Sequence, residues 1–229
     1  MKTLFLCLGS YKVKDTTGND PECFDRQLLY SIALRRLCQL VDSSTSILVM
    51  DNTVNSVSEL HPHLQNALGK PQITEVLLQS NNVLGAKNKG AGEYEMCKFA
   101  FAKRQDLFVE ADWVVYYTHR HTMPFPKIFE YLESYKSYDA IVSNAVYKFP
   151  DGKHSFPSQG VFDDLIFAMK RETFSKYIET MNPELMVKKR IGSEQNLYQF
   201  LTTQNINYKQ VERFGVFRYN YVANRMEVV

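Results

Sequence analysis

The sequence predicts an α/β fold with a mostly parallel central sheet and an antiparallel second half. Three observations carry this. Short β-prone runs alternate with amphipathic, capped segments through residue 135, the order of successive βαβ units. Some runs, such as Trp113 to Tyr117, are continuously apolar, as in strands covered on both faces. These runs also empty into polar turns, where open α/β sheets keep their ligand crevice.

The first strand is Thr3 to Leu8. Asp20 offers an N-cap and Pro21 a first helical residue, and Phe24, Leu28, Leu29, Ile32, Ala33 and Leu37 give a helix to Val41 its apolar stripe. Ile47 to Met50 is the second strand. Ser56 and Glu59 have capping-box spacing, and Gly69 with Pro71 closes that helix. Ile73 to Leu78 is the third strand. The turn Gly85 to Gly92 then leads into a helix through Phe108, followed by the strand that ends at Thr118. Pro124 and Pro126 open a helix through Tyr135. Ala140 to Phe149 and Val161 to Lys170 read as antiparallel strands flanking the loop Pro150 to Gly160. A helix spans Glu172 to Thr180, a basic link holds Lys188, Lys189 and Arg190, and Ser193 caps a helix to Thr203. Strands near Ile206 to Val211 and Phe214 to Val222 end the chain. No repeat or linker interrupts it, so residues 1–229 form a single domain.

The chain's 229 residues suffice for a substantial core. With 27 Lys and Arg against 25 Asp and Glu, dispersed without a basic stripe, no nucleic-acid partner is expected. The 14 Tyr and 15 Phe suit a core with polar-tipped rings near a cleft. Cys7, Cys23, Cys38 and Cys97 lack C-x-x-C spacing, which fits reduced thiols and a cytoplasmic setting. The apolar start Thr3 to Leu8 is too short for a signal peptide and reads as an internal strand. No run approaches the ~20 apolar residues of a transmembrane segment.

In a parallel sheet four strand ends share one edge: Gly9-Ser10-Tyr11, Asp51-Asn52, Ser80-Asn81-Asn82 and Thr118-His119-Arg120-His121. The last group brings three potentially cationic side chains to a strand mouth, and an anion is their natural partner. Asp51 suits a carboxylate that accepts from a base or sugar, although Asp-Asn-Thr also forms turns. The glycines around Lys87, Asn88 and Lys89 allow backbone approach ahead of a helix N-terminus, without forming a Walker A or G-x-G-x-x-G motif. His61-Pro62-His63 repeats a His-x-His spacing but falls early in an exposed helix, away from that edge.

The succession ILVMDNT, SNNVLGAKNKGAG and ADWVVYYTHRHTMP resembles the nucleotide-sugar-binding half of GT-A glycosyltransferases, with inverting family 2 the nearest pattern. The resemblance extends over residues 2–205 and implies a Rossmann-like three-layer sandwich. It implies a nucleoside diphosphate sugar donor, inverting hexosyl transfer, and an acceptor hydroxyl on an unidentified glycan, lipid or protein. By its register Asp51 contacts the nucleoside beside Ser10 and Tyr11, Asn88 and Lys89 flank the diphosphate, and Glu194 follows Ser193 as general base. Asp164, in FDDLIFAMKRETF, falls on the acceptor side as a second catalytic acid.

The family's acidic D-x-D turn, which holds Mn²⁺ or Mg²⁺, falls here on His119-Arg120-His121, with Thr118 before it. Hard divalent cations want carboxylate oxygens, and this turn has none. Three readings stand. Arg120 and the histidines offset the diphosphate directly, His119 and His121 hold a softer ion such as Zn²⁺ or Mn²⁺, or the site has lost catalysis. Metal-independent phosphate binding is the expectation taken forward. The alternatives are a non-catalytic nucleotide-sugar-binding module and, last, a metallohydrolase using His119 and His121.

Overall fold

The structure, a computed structural model, describes residues 1–13, 23–124, 126–143, 147–148, 154–155, 162–220 and 225–228. In chain order its elements are β1 (Thr3–Gly9), α1 (Cys23–Leu40), β2 (Thr45–Asp51), a 3₁₀ turn (Val57–Glu59), α2 (Pro62–Leu68), β3 (Ile73–Leu78), α3 (Lys89–Lys103), α4 (Gln105–Glu110) and β4 (Trp113–Thr118). There follow α5 (Lys127–Ser134), β5 (Ala140–Ser143), β6 (Tyr147–Lys148), β7 (His154–Ser155), β8 (Ile166–Lys170) and α6 (Arg171–Thr180). Last come α7 (Pro183–Lys189), α8 (Ser193–Thr203), β9 (Tyr208–Val211), β10 (Phe217–Asn220) and β11 (Arg225–Val228).

Among the described residues, seven strands form the main sheet in the order β3-β2-β1-β4-β8-β5-β9. β3, β2, β1 and β4 run parallel; β8 is antiparallel to both β4 and β5, and β9 is parallel to β5. Every residue of β1 and β4 is buried, as their unbroken apolar runs predict. Alternation splits their side chains between two cores. Leu4, Leu6, Leu8, Val114 and Tyr116 pack with α3, α6 and α8, whereas Phe5, Cys7, Trp113, Val115 and Tyr117 pack with α1, α2 and α5. The result is a sheet between two helical layers. Cys7, Cys38 and Cys97 are free and buried.

Register places the functional edge. Gly9 lies beside Asp51, Leu8 beside Thr118 and Asp51 beside Leu78, so the parallel strands end level with one another. Because β8 is antiparallel, its beginning faces the same edge: Ile166 pairs with Tyr117. Asp163 and Asp164, just before β8, therefore arrive beside the mouth of β4.

Several boundaries differ from expectation for identifiable reasons. The Ser56–Glu59 capping box forms but opens only a 3₁₀ turn. His61 precedes Pro62 and stays extended (φ −64°, ψ 141°), so α2 starts afresh at the proline. The helix expected through Phe108 breaks at Arg104 (φ −130°, ψ 44°), whose guanidinium turns to Glu75 and Asp106. The basic link expected at Lys188 is the end of α7, which Asn182 caps by accepting from the Leu185 amide at 2.9 Å. Strand β5 stops at Ser143, and β6 pairs with β7 in a separate small ladder. β10 and β11 form a hairpin apart from the main sheet. Asp20, Pro21 and most of the 150–160 loop lie outside the described residues.

Candidate functional site

A cleft of about 260 Å³ opens at the shared edge. Gly9 at the end of β1 and Ser10 after it, Asn52 after β2, Asn82 after β3, and Thr118 at the end of β4 with Arg120 beyond it line the cleft, together with the first turns of α3 through Lys89, Gly92 and Glu93. Helix α1 contributes Arg26 and Tyr30. Close backbone contact shapes the α3 side: a Cβ on Gly92 would lie 2.5 Å from Gly85 Cα.

Asp51 stands behind this wall. It is fully buried, and its carboxylate accepts from Tyr11 N at 2.6 Å, Thr53 N and Oγ1 at 2.7 Å each, and Val54 N at 3.1 Å. Burial nevertheless pushes its pKa up to about 6. The carboxylate thus fastens the loops after β1 and β2, and the neighbouring Asn52 is the residue that faces the cleft. Ser10 Oγ donates to Asn52 Oδ1, and Asn52 Nδ2 donates to Asn82 Oδ1, each at 3.1 Å. The Tyr30 hydroxyl accepts from Ser10 N at 3.1 Å.

The His-Arg-His turn divides its residues. His119 is fully buried, edge-on to Tyr11 and tilted against Tyr30, with Nε2 at 2.9 Å from the Tyr11 hydroxyl. Burial lowers its pKa to about 3, so it is neutral at physiological pH and cannot serve as an imidazolium. His121 is also buried; its Nε2 accepts from Arg120 Nε at 3.1 Å. Of the three, Arg120 alone lines the cleft. The Thr118 hydroxyl oxygen is buried without a hydrogen-bond partner and belongs to the lining.

Asn88 turns inward. Its Oδ1 caps α3 by accepting from Ala91 N at 3.1 Å, and its Nδ2 donates to the carbonyls of Ile191 at 3.1 Å and Met186 at 3.4 Å. Lys89 faces the cleft, its side chain 56% exposed, with Nζ 3.1 Å from Glu93 Oε1. Glu93 raises the proton affinity of Lys89, which is a cation at every relevant pH. Asp164 is buried and accepts from Ser193 Oγ, and Glu194 occupies the first turn of α8. Neither carboxylate borders the cleft.

Arg26 and Glu93 were absent from the sequence-based site, and Asn82 was placed at its edge without a role. Glu93 had a signal, its i,i+4 spacing from Lys89. Arg26 reaches the cleft only through the docking of α1, where its Nε donates to the Ser10 carbonyl at 2.6 Å.

The donor set does not suit a hard divalent cation. His119 is committed to Tyr11, Arg120 places a guanidinium against His121, Lys89 occupies Glu93, and no group of three or more His, Cys, Asp or Glu fit for a metal exists among the described residues. His61 and His63 lie at the start of α2, with His63 exposed. No described helix is long and apolar enough to cross a membrane.

No family model and no curated protein matches the chain. Solved structures do. A mannosyltransferase from Pyrobaculum calidifontis, solved with GDP-Man and Mn²⁺, aligns with a TM-score of 0.59 at 9% identity, over 92% of this chain and 55% of that one. Staphylococcus aureus TarS (residues 1–349) gives 0.54 at 9% identity, over 93% and 58%. A cytidylyltransferase from Leptospira borgpetersenii gives 0.53 at 12% identity, over 93% and 76%. This chain therefore spans little more than half of the mannosyltransferase. At these identities the likeness speaks for architecture alone, and the architecture is a GT-A-like fold.

Proposed function

We propose that the cleft binds a nucleoside diphosphate sugar and that the chain transfers the sugar to an acceptor hydroxyl without a divalent metal. The observation that carries this is a convergence of cations: Arg26 from α1, Lys89 from α3 and Arg120 from the turn after β4 line one small cleft in which, among the described residues, the one lining carboxylate is already paired. A diphosphate leaving group accumulates negative charge as the sugar departs, and guanidinium forks match phosphate oxygens. In this scheme the cations take the part a metal plays elsewhere. Asn52, Asn82 and Ser10 supply the polar edge for the nucleoside, while Asp51 and Tyr11 hold that edge in place. The resemblance to transferases that include a GDP-Man complex supports a sugar nucleotide as the donor class. Inversion at the anomeric carbon goes with one displacement, the acceptor's proton passing to a carboxylate beside Lys89.

Thermal unfolding with UDP, GDP, ADP and CDP, in EDTA and in Mn²⁺, tests the donor site. Saturation at ~100 times Kd stabilises the fold by about 2.7 kcal/mol. The expected result is stabilisation by one diphosphate that persists in EDTA and disappears in Arg120→Ala. Stabilisation only with Mn²⁺ refutes metal independence, and no response to any nucleotide refutes the donor site. A non-catalytic binding module shares the nucleotide response but hydrolyses and transfers nothing; the loss of the acidic turn is the observation in its favour.

A further inference from the structure

Among the described residues, Glu93 is the one carboxylate that lines the cleft. Only 7% of its side chain is exposed. Its Oε1 takes Lys89 Nζ at 3.1 Å, while Oε2 accepts from the Tyr116 hydroxyl at 3.2 Å and lies 3.4 Å from Ser193 Oγ. The Ser193 hydroxyl has one proton and also contacts Asp164, so it cannot satisfy both acids at once. The charged and titratable groups facing Glu93 are thus Lys89 and Cys97 on its own helix, Tyr116 on β4, Asp164 before β8, and Glu194 on α8. Burial raises the proton affinity of Glu93, Lys89 opposes the rise and Asp164 adds to it.

We propose that Glu93 is the catalytic base, and that Lys89 keeps it closed until an anionic donor arrives. This rests on the donor site proposed above. Without a donor the ammonium is engaged by Glu93. A diphosphate in the cleft competes for the same cation, whose exposed stem leaves it free to swing. Once Lys89 moves to the phosphate, Glu93 Oε1 is uncovered in a buried setting that favours taking a proton. The acceptor O–H bond then breaks and its proton bonds to Oε1. The oxygen's electron pair forms the new bond to the anomeric carbon. The bond from that carbon to the diphosphate oxygen breaks, and its pair leaves with the nucleoside diphosphate, held by Arg26, Lys89 and Arg120. Asp164 and Glu194 act through the field around this pair, since neither borders the cleft.

The test compares wild type, Glu93→Gln, Asp164→Asn and Glu194→Gln, each shown to be folded by near-ultraviolet circular dichroism. UDP and GDP are titrated calorimetrically, and hydrolysis of UDP-glucose and GDP-mannose is followed from pH 5 to 9 with water as acceptor. For Glu93→Gln we expect unchanged or tighter diphosphate binding, because Lys89 is no longer held, and turnover lower by ~10²–10⁴-fold. The loss of wild-type rate toward low pH should vanish from its residual activity. If Glu93→Gln does not fold, Glu93→Asp substitutes for it, with weaker turnover and the same binding expected. Wild-type turnover in the Glu93 variant, or the full loss in Glu194→Gln instead, overturns the assignment. Diphosphate binding without hydrolysis in the wild type overturns the catalytic role and leaves the donor site standing. Absence of diphosphate binding overturns both.

Discussion

Replacing Asp51 with alanine should cost stability first. The substitution removes the acceptor from three backbone amides, those of Tyr11, Thr53 and Val54, and from the Thr53 hydroxyl. A buried amide left without an acceptor costs about 1–3 kcal/mol; at ~2 each, the three amides lose roughly 6 kcal/mol. An opposing effect is present at pH 8. Burial raises the Asp51 pKa from 3.8 to about 6, so the ionised carboxylate carries a penalty of about 3 kcal/mol that alanine does not. The net loss at pH 8 is therefore about 3 kcal/mol. Its pH dependence has a definite sign. The folded chain holds the Asp51 proton more tightly than the unfolded chain, so this contribution is complete below pH ~4 and fades as pH rises through about 6. The gap between wild type and variant should widen by up to ~3 kcal/mol between pH 8 and pH 4. Urea unfolding of both proteins across that range measures it, with m-values compared to confirm equal surface exposure. A gap below ~1 kcal/mol at pH 8, or one that narrows toward acid, refutes the clamp and returns Asp51 to the role of ligand.

Three further outcomes follow from the same geometry. Arg26→Ala removes one charged donor from the cleft, and affinity for UDP or GDP should fall ~10–100-fold by calorimetry, matching the ~1.5–3 kcal/mol of a charged hydrogen bond; an unchanged Kd refutes its role. His119 has a pKa lowered from 6.5 to about 3, so its contribution to stability is intact above pH 6.5 and lost as pH falls from there toward 3. His119→Gln should therefore remove up to ~5 kcal/mol of the acid sensitivity in that window, and parallel stability curves for both proteins contradict this. Gly92→Ala forces a Cβ to within 2.5 Å of Gly85 Cα and should cost ~1–3 kcal/mol, seen as a lower Tm; an unchanged Tm shows that the turn can move aside.

The parallel half of the sheet was legible because β1 and β4 are buried throughout, and burial on both faces writes itself as an uninterrupted apolar run. The shared edge followed from strand direction alone, and Ser10, Lys89, Thr118 and Arg120 line one cleft there. What a polar side chain does at a strand end was not legible. Asp51 and Asn88 have the right chemistry for a ligand, yet their partners are the chain's own amides and carbonyls, and only tertiary structure decides that. His119 reads as a cation until full burial between Tyr11 and Tyr30 makes it neutral. Helix α7 had a local signal in Asn182-Pro183, which the basic composition of the following residues obscured.

Asn88 joins two parts of the molecule that the chain separates by about a hundred residues. One side-chain oxygen starts α3, and the nitrogen beside it grips the turn between α7 and α8. An aspartate would start the helix equally well but has no proton to give that turn, so the position admits asparagine and little else. The pin also makes the two regions move as a unit: a ligand that draws on the first turn of α3 pulls on Ile191 as well, and slower amide exchange should spread there from the cleft.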